Sequence, residues 1–142
     1  MEGKWLEAMS TSECSERLRA GRLGRVGVSI DALPVILPVF YEATDDSVLF
    51  FTEAGTKLAA ATLNAIVAFE TDGLDDDGGW SVMVLGRCEE VLEVLEIEAW
   101  RATPRLAGGP GNRDHLIRIP IHHLSGRSFA WADPLKGSPG YP

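Results

Sequence analysis

Along residues 25–30, apolar and other residues alternate one by one: Val26, Val28 and Ile30 against Arg25, Gly27 and Ser29. A period of two predicts a β-strand with one covered face. The same period returns over 66–71, where Val67, Phe69 and Thr71 oppose Ile66, Ala68 and Glu70. It returns again over 115–124, with Ile117, Ile119 and Ile121 set against Arg118 and His122. Pro120 in that run predicts an edge position or a bulge. Residues 80–94 form the longest β-like run, and Gly86 marks a bend or bulge within it. Residues 34–41 differ, being apolar on both faces, so that strand needs cover on both sides. A tight connection at Asp31 and Ala32 precedes it. A polar turn at 44–47 leads to the returning strand 48–52. Ser125 and Gly126 read as a turn into a last strand.

Helical signals are few. Ser10 and Glu13 form an S-x-x-E capping box, which predicts a helix through Ala20 stopped by Gly21. The Ala- and Leu-rich stretch 56–63 predicts a second short helix ended by Asn64. A helical turn is expected at 96–102. Residues 72–79 read as an exposed acidic loop and 105–114 as a flexible connection. Six or seven short strands with small helices between them predict a mainly β, antiparallel barrel rather than a βαβ sheet. The expected organisation is a loosely held leader at 1–9, one domain over 10–133 and a loose tail at 134–142.

Composition narrows the function. The chain has 142 residues and a formal net charge of -8. An acidic surface repels phosphate backbones and anionic lipid heads, which disfavours nucleic acid and membrane as partners. No apolar run is long enough to span a bilayer, and the first ten residues lack the apolar segment of a secretion signal. A cytoplasmic location is expected. Cys14 and Cys88 lie far apart and read as free core thiols.

One stretch carries candidate chemistry. A strand ends in Phe51-Thr52, a short loop with Gly55 follows, and Thr56-Lys57 opens a helix. Two hydroxyls, backbone N–H groups and an ammonium around one corner suit a phosphate dianion. On spacing alone, a capped helix with a solvated lysine fits the same residues. Other candidates are weaker. His122 and His123 are adjacent and point to opposite faces of a strand, so they cannot share one metal ion, and no metal site is expected. Asp75, Asp76 and Asp77 lack the spacing of a cation loop. Of four tryptophans, only Trp80 and Trp131 are candidates for contact with a ring ligand.

The order of segments resembles the pyridoxamine 5′-phosphate oxidase-like family of FMN-binding split barrels. The resemblance runs from Ser10 to Trp131. It rests on the succession of a strand, T-x-x-x-T-K at Thr52 to Lys57, an Ala-rich helix, N-x-x-V-A-F-E from Asn64, and G-W-S-V-x-V-x-G-R from Gly79. It implies a six- to seven-stranded antiparallel split barrel of Greek-key type. It also implies a homodimer with FMN at the subunit interface and oxidoreductase activity on a small organic substrate. Thr52, Thr56 and Lys57 match the phosphate-binding positions. The backbone of Pro38, Val39 and Phe40 matches the strand beneath the flavin ring, and Ser81 should face the same cavity. Arg127 and Trp131 fall where the second subunit closes the site. Phe40 stands where many relatives have Asn. Deazaflavin and haem are the alternative cofactors. A non-enzymatic carrier or redox sensor is the alternative function.

Overall fold

The computed structural model describes residues 6–53, 57–107 and 115–131, and for 57–59 and 107 it describes the backbone alone. Ten strands form two antiparallel sheets among these residues. The larger runs in the order β1 (Leu6–Ala8), β10 (His123–Ala130), β7 (Gly78–Arg87), β6 (Ile66–Leu74), β2 (Leu23–Ile30) and β3 (Leu33–Phe40). The smaller runs β4 (Glu42–Ala43), β5 (Ser47–Thr52), β9 (His115–Pro120) and β8 (Glu89–Val91). Seven strands have six or more residues, and the remaining three are short edge pieces. This is the mainly β, antiparallel architecture with a few short helices that the alternation predicts, split into two sheets as the resemblance implies.

The alternation also fixes which side chains meet. Val26, Val28, Val67, Phe69, Val82 and Val84 of the larger sheet pack with Val48, Phe50, Ile117 and Ile119 of the smaller one. Burying one such side chain contributes about 1.5–3 kcal/mol, so this shared face is the main source of stability. The smaller sheet has a second apolar face. There Leu49, Val91 and Leu116 pack against Phe51 and against Ile97 and Trp100 of α3 (Val94–Arg101).

Helix α1 (Thr11–Ala20) closes one end of the core with Cys14 and Leu18. Its capping box is formed: Glu13 N–H donates to Ser10 Oγ at 3.1 Å, and Ser10 N–H donates to the Glu13 carboxylate at 3.4 Å. Gly21 ends the helix for a reason other than the one expected. Its backbone is extended, with φ -78°, not left-handed. A Cβ there would lie 2.2 Å from the Tyr41 hydroxyl, so glycine is needed for close approach. Tyr41 is fully buried where the chain passes from β3 to β4. Its hydroxyl donates to Leu18 O at 2.5 Å, and its ring stands edge-on to Phe69 at 4.7 Å. Arg105 of α4 (Pro104–Ala107) donates to the carbonyls of Arg19 and Gly21, both at 2.6 Å, and caps the end of α1.

Several sequence expectations need correction. Residues 72–79 are not a loop: β6 runs to Leu74, β7 starts at Gly78, and Asp75 Oδ1 closes the turn by accepting from the N–H groups of Asp77 and Gly78. Backbone pairing made this segment a hairpin despite its polar composition. Gly78 permits it, because a Cβ there would sit 1.9 Å from Phe129 O. Ser125 and Gly126 lie inside β10 and are not a turn. A Cβ at Gly126 would meet Cys14 Sγ at 2.7 Å, so that glycine makes room for α1. Pro120 lies on an inner strand, but at its last residue, opposite Ser47 and beyond the reach of β8. The expected leader includes a strand, since Leu6–Ala8 pairs with β10. Strand β3 is not covered on both faces within the chain. It is the sheet edge, with Leu33 67% and Ile36 71% exposed. Asp31 and Ala32 do make the tight connection, with φ 52° and 67°, the left-handed pair that a two-residue hairpin turn demands.

Gly21→Ala should lower stability by about 1–3 kcal/mol through overpacking against Tyr41. In a Tyr41→Phe background the same change should cost less, because the hydroxyl it strikes is gone. Urea unfolding of the four proteins in this cycle measures the coupling. Equal costs in both backgrounds would contradict the contact.

Candidate functional site

Two places combine polar chemistry with position. The first is the end of β5. Thr52 follows Phe50 on the core-facing side of the smaller sheet and is only 6% exposed. Its Oγ1 is buried and has no hydrogen-bond partner among the described residues. A buried hydroxyl left unpaired costs about 1–3 kcal/mol, so native structures rarely leave one without a ligand or water to satisfy it. Lys57 opens α2 (Lys57–Thr62) five residues further on. Thr56 lies outside the described residues, as does the Lys57 side chain.

The path of β3 explains why Pro38, Val39 and Phe40 approach this corner. After Tyr41 the chain continues as β4, where Glu42 opposes Leu49. The same register continued backward brings Val39 level with Thr52, and β3 and β5 are in contact. Val39 turns its side chain into the core. Pro38 opposes Arg25, whose side chain lies on the outward face of the larger sheet. Phe40 shares the Pro38 face and is half-buried.

That outward face is the second place. Arg25 Nη1 donates to Glu70 Oε1 at 2.9 Å and lies 3.5 Å from Asp72 Oδ2. Ser81 Oγ donates to Glu70 Oε2 at 3.0 Å. The Glu70 carboxyl is pushed above its ordinary value, first by burial and next by a hydrogen bond with Asp72. The negative charge of Asp72 adds to this, while the bond from Ser81 and the charge of Arg25 oppose it. Arg127 opposes Ser81 from β10 and is exposed. Trp131 follows β10. Its indole N–H donates to Asp75 O at 2.9 Å, and its ring stands edge-on to Phe129 at 5.3 Å.

The structure therefore brings together some of the expected site residues and separates others. The backbone of 38–40 adjoins Thr52. Ser81 shares the outward face with Pro38 but lies three strands away, about 14 Å at the usual strand spacing. Within one chain the two are therefore not neighbours, although they lie on one face. Arg127 and Trp131 lie beyond Ser81 on the same side. Trp80 points the opposite way, toward α1, where the Arg17 guanidinium lies 5.0 Å from the centre of its ring. An acidic cleft of about 310 Å³ opens there, lined by Glu7, Glu13, Asp75 and Asp77 as well as Trp80. Sequence reasoning missed the Arg25–Glu70–Asp72 cluster. Its signal was a set of charged residues at the outward positions of strands whose other face is apolar.

Residues 10–128 match the pyridoxamine 5′-phosphate oxidase family, and the chain belongs to it. Among solved structures, the chain is similar to an FAD-binding protein from Mycobacterium smegmatis, with 33% identity and a TM-score of 0.73, covering 87% of this chain and 98% of that one. An FAD-binding protein from Mesorhizobium loti is 26% identical, with a TM-score of 0.71 over 87% of this chain and 97% of that one. An FAD- and haem-binding protein from Mycobacterium smegmatis shares the fold at 16% identity and a TM-score of 0.69, covering 92% of this chain and 76% of that one. An uncharacterised protein of Mycobacterium tuberculosis is 30% identical over 83 residues, 58% of this chain and 76% of that protein. Flavin-binding proteins are thus among its structural relatives. No helix among the described residues is long and apolar enough to cross a membrane.

The raised Glu70 carboxyl has a consequence for stability. The folded chain holds this proton to higher pH than the unfolded chain does. Its contribution to stability therefore falls as pH rises from the ordinary carboxylate value through the raised one. Glu70→Gln cannot titrate, so its stability relative to wild type should increase across that interval. Urea midpoints of both proteins from acid to neutral pH measure the gap. A gap that does not change with pH would contradict the assignment.

Proposed function

We propose that the chain is a homodimeric, flavin-dependent oxidoreductase that holds the phosphate end of FMN where β5 meets α2. The unpaired, buried Thr52 Oγ1 is the observation that carries this reading. A threonine hydroxyl donates well to a phosphate oxygen, and by the family resemblance Thr56 and Lys57 would contact the same anion. The Pro38–Phe40 backbone, which adjoins Thr52, would run beneath the flavin ring. When bound, the flavin would pass hydride or electrons to or from a small organic substrate. No side chain of this chain is assigned as a general acid or base.

The second copy follows from the outward face of the larger sheet. Ile36 and Ile66 are 71% and 67% exposed there, beside the half-buried Met83 and Leu85. Apolar residues gathered on one face mark an interaction surface. Pro34 and Pro38 oppose Ser29 and Arg25 on the edge strand. They lack N–H groups, and since Tyr41 N–H points toward β2, the nitrogens of 34 and 38 point outward. Strand addition at that edge is therefore blocked, and face-to-face contact remains. Such contact would bring Ser81, Arg127 and Trp131 of one copy toward the 38–40 strand of the other.

FAD is the second reading for the cofactor, favoured by the FAD-binding relatives at 33% and 26% identity. FMN and FAD share the phosphate that Thr52 would bind. Calorimetric titration with FMN, FAD and riboflavin separates these cases. Charge-assisted hydrogen bonds contribute about 1.5–3 kcal/mol each. Lys57→Ala should thus weaken FMN binding by roughly tenfold to a hundredfold and leave riboflavin nearly unaffected. Equal losses for both ligands would remove Lys57 from the phosphate site. Bleaching of the bound flavin by a nicotinamide donor would support an enzyme, and bound flavin without turnover a carrier.

A further inference from the structure

The β5–β9 register places a residue beside Thr52 that the family resemblance did not assign. His115 opposes Thr52 directly. Opposed residues in an antiparallel pair lie on one face with Cβ atoms about 4.5–5.5 Å apart. That face is the core-facing one, since Phe50 and Ile117, the next residues along it, are both buried in the main core. Glu90 reaches the same face from β8, because it opposes Ile117. The His115 Nδ1 and Glu90 Oε2 lie 2.5 Å apart, with the two side chains 36% and 25% exposed. Three polar groups thus gather where the apolar core ends: an unpaired hydroxyl, an imidazole and a carboxylate.

The pairing decides what this group can bind. A carboxylate alone beside Thr52 would repel a phosphate. With Glu90 engaged at Nδ1, the imidazole is oriented and Nε2 is the nitrogen left to meet a ligand. It is an N–H donor when the ring carries both protons, the form that matches a phosphate oxygen. We propose that His115, oriented by Glu90, is a further phosphate contact of this chain and contributes to its preference for a phosphorylated flavin over riboflavin. This rests on the reading that Thr52 marks the cofactor's phosphate. Glu90 is a positioning residue that acts through His115.

Calorimetric titration with FMN and with riboflavin tests this in wild type, Thr52→Val, His115→Ala, His115→Gln and the His115→Ala/Glu90→Gln double variant. Thermal melts verify that each protein folds. His115→Ala and His115→Gln should each lower FMN affinity about tenfold or more, with riboflavin unchanged. His115→Ala leaves the Glu90 carboxylate bare beside the phosphate, so adding Glu90→Gln should recover part of the lost FMN affinity. A purely structural role for His115 would give neither the FMN–riboflavin split nor the recovery. If Thr52→Val weakens FMN while both His115 variants keep the wild-type preference, the His115 assignment falls and the cofactor reading stands. If wild type binds neither flavin, both fall.

Discussion

The hydrogen bond from the buried Tyr41 hydroxyl to Leu18 O fixes the point where the chain leaves one sheet and enters the other. Everything at the candidate site follows from that crossing. Tyr41 holds the end of α1, stands edge-on to Phe69 of the larger sheet and leads directly into β4 of the smaller one. Burial raises the Tyr41 hydroxyl above its ordinary value, so it remains a donor at neutral pH. Because β4 must then pair with β5, the strand before Tyr41 runs alongside the end of β5. A barrel split at this crossing leaves a corner where the 38–40 backbone, Thr52 and His115 come together at the rim of a dry core.

The two faces of the larger sheet divide the labour. The inward face has lost nearly all its polar atoms and supplies stability. The outward face keeps a charged cluster, Arg25–Glu70–Asp72, next to exposed Ile36 and Ile66. A face of that kind is awkward for a monomer: its apolar residues face water, and burial pushes the Glu70 carboxyl above its ordinary value. Against a second copy, the same residues would become a core and a set of buried ion pairs. The candidate site residues divide in the same way, since the 38–40 backbone adjoins Thr52 while Ser81, Arg127 and Trp131 lie some strands distant.

Much of this was legible in the sequence. Val67, Phe69 and Thr71 alternate with Ile66, Ala68 and Glu70, and the first set is buried as the period requires. The capping box at Ser10 and Glu13 forms as written. Misreadings came where backbone pairing or close packing overrode composition. Residues 72–79 look like a solvated acidic loop, yet a hairpin needs only its backbone partners, and an Asx turn at Asp75 supplies the rest. Gly126 looks like a turn residue but admits a helix. Thr52 was legible as a candidate through its motif, and the structure adds that its hydroxyl is buried and unpaired. His115 was not, because its role depends on which residue faces it across a strand pair 63 positions apart in sequence, and only the register reveals that.

The central claim is that two copies of this chain enclose a phosphorylated flavin that neither encloses alone. Native mass spectrometry of the purified protein measures assembly and ligand together. The account predicts a dimer carrying two FMN or FAD molecules, and loss of flavin whenever the dimer dissociates. A monomer that retains its flavin, or a dimer that takes up no flavin even when supplied in excess, would contradict it.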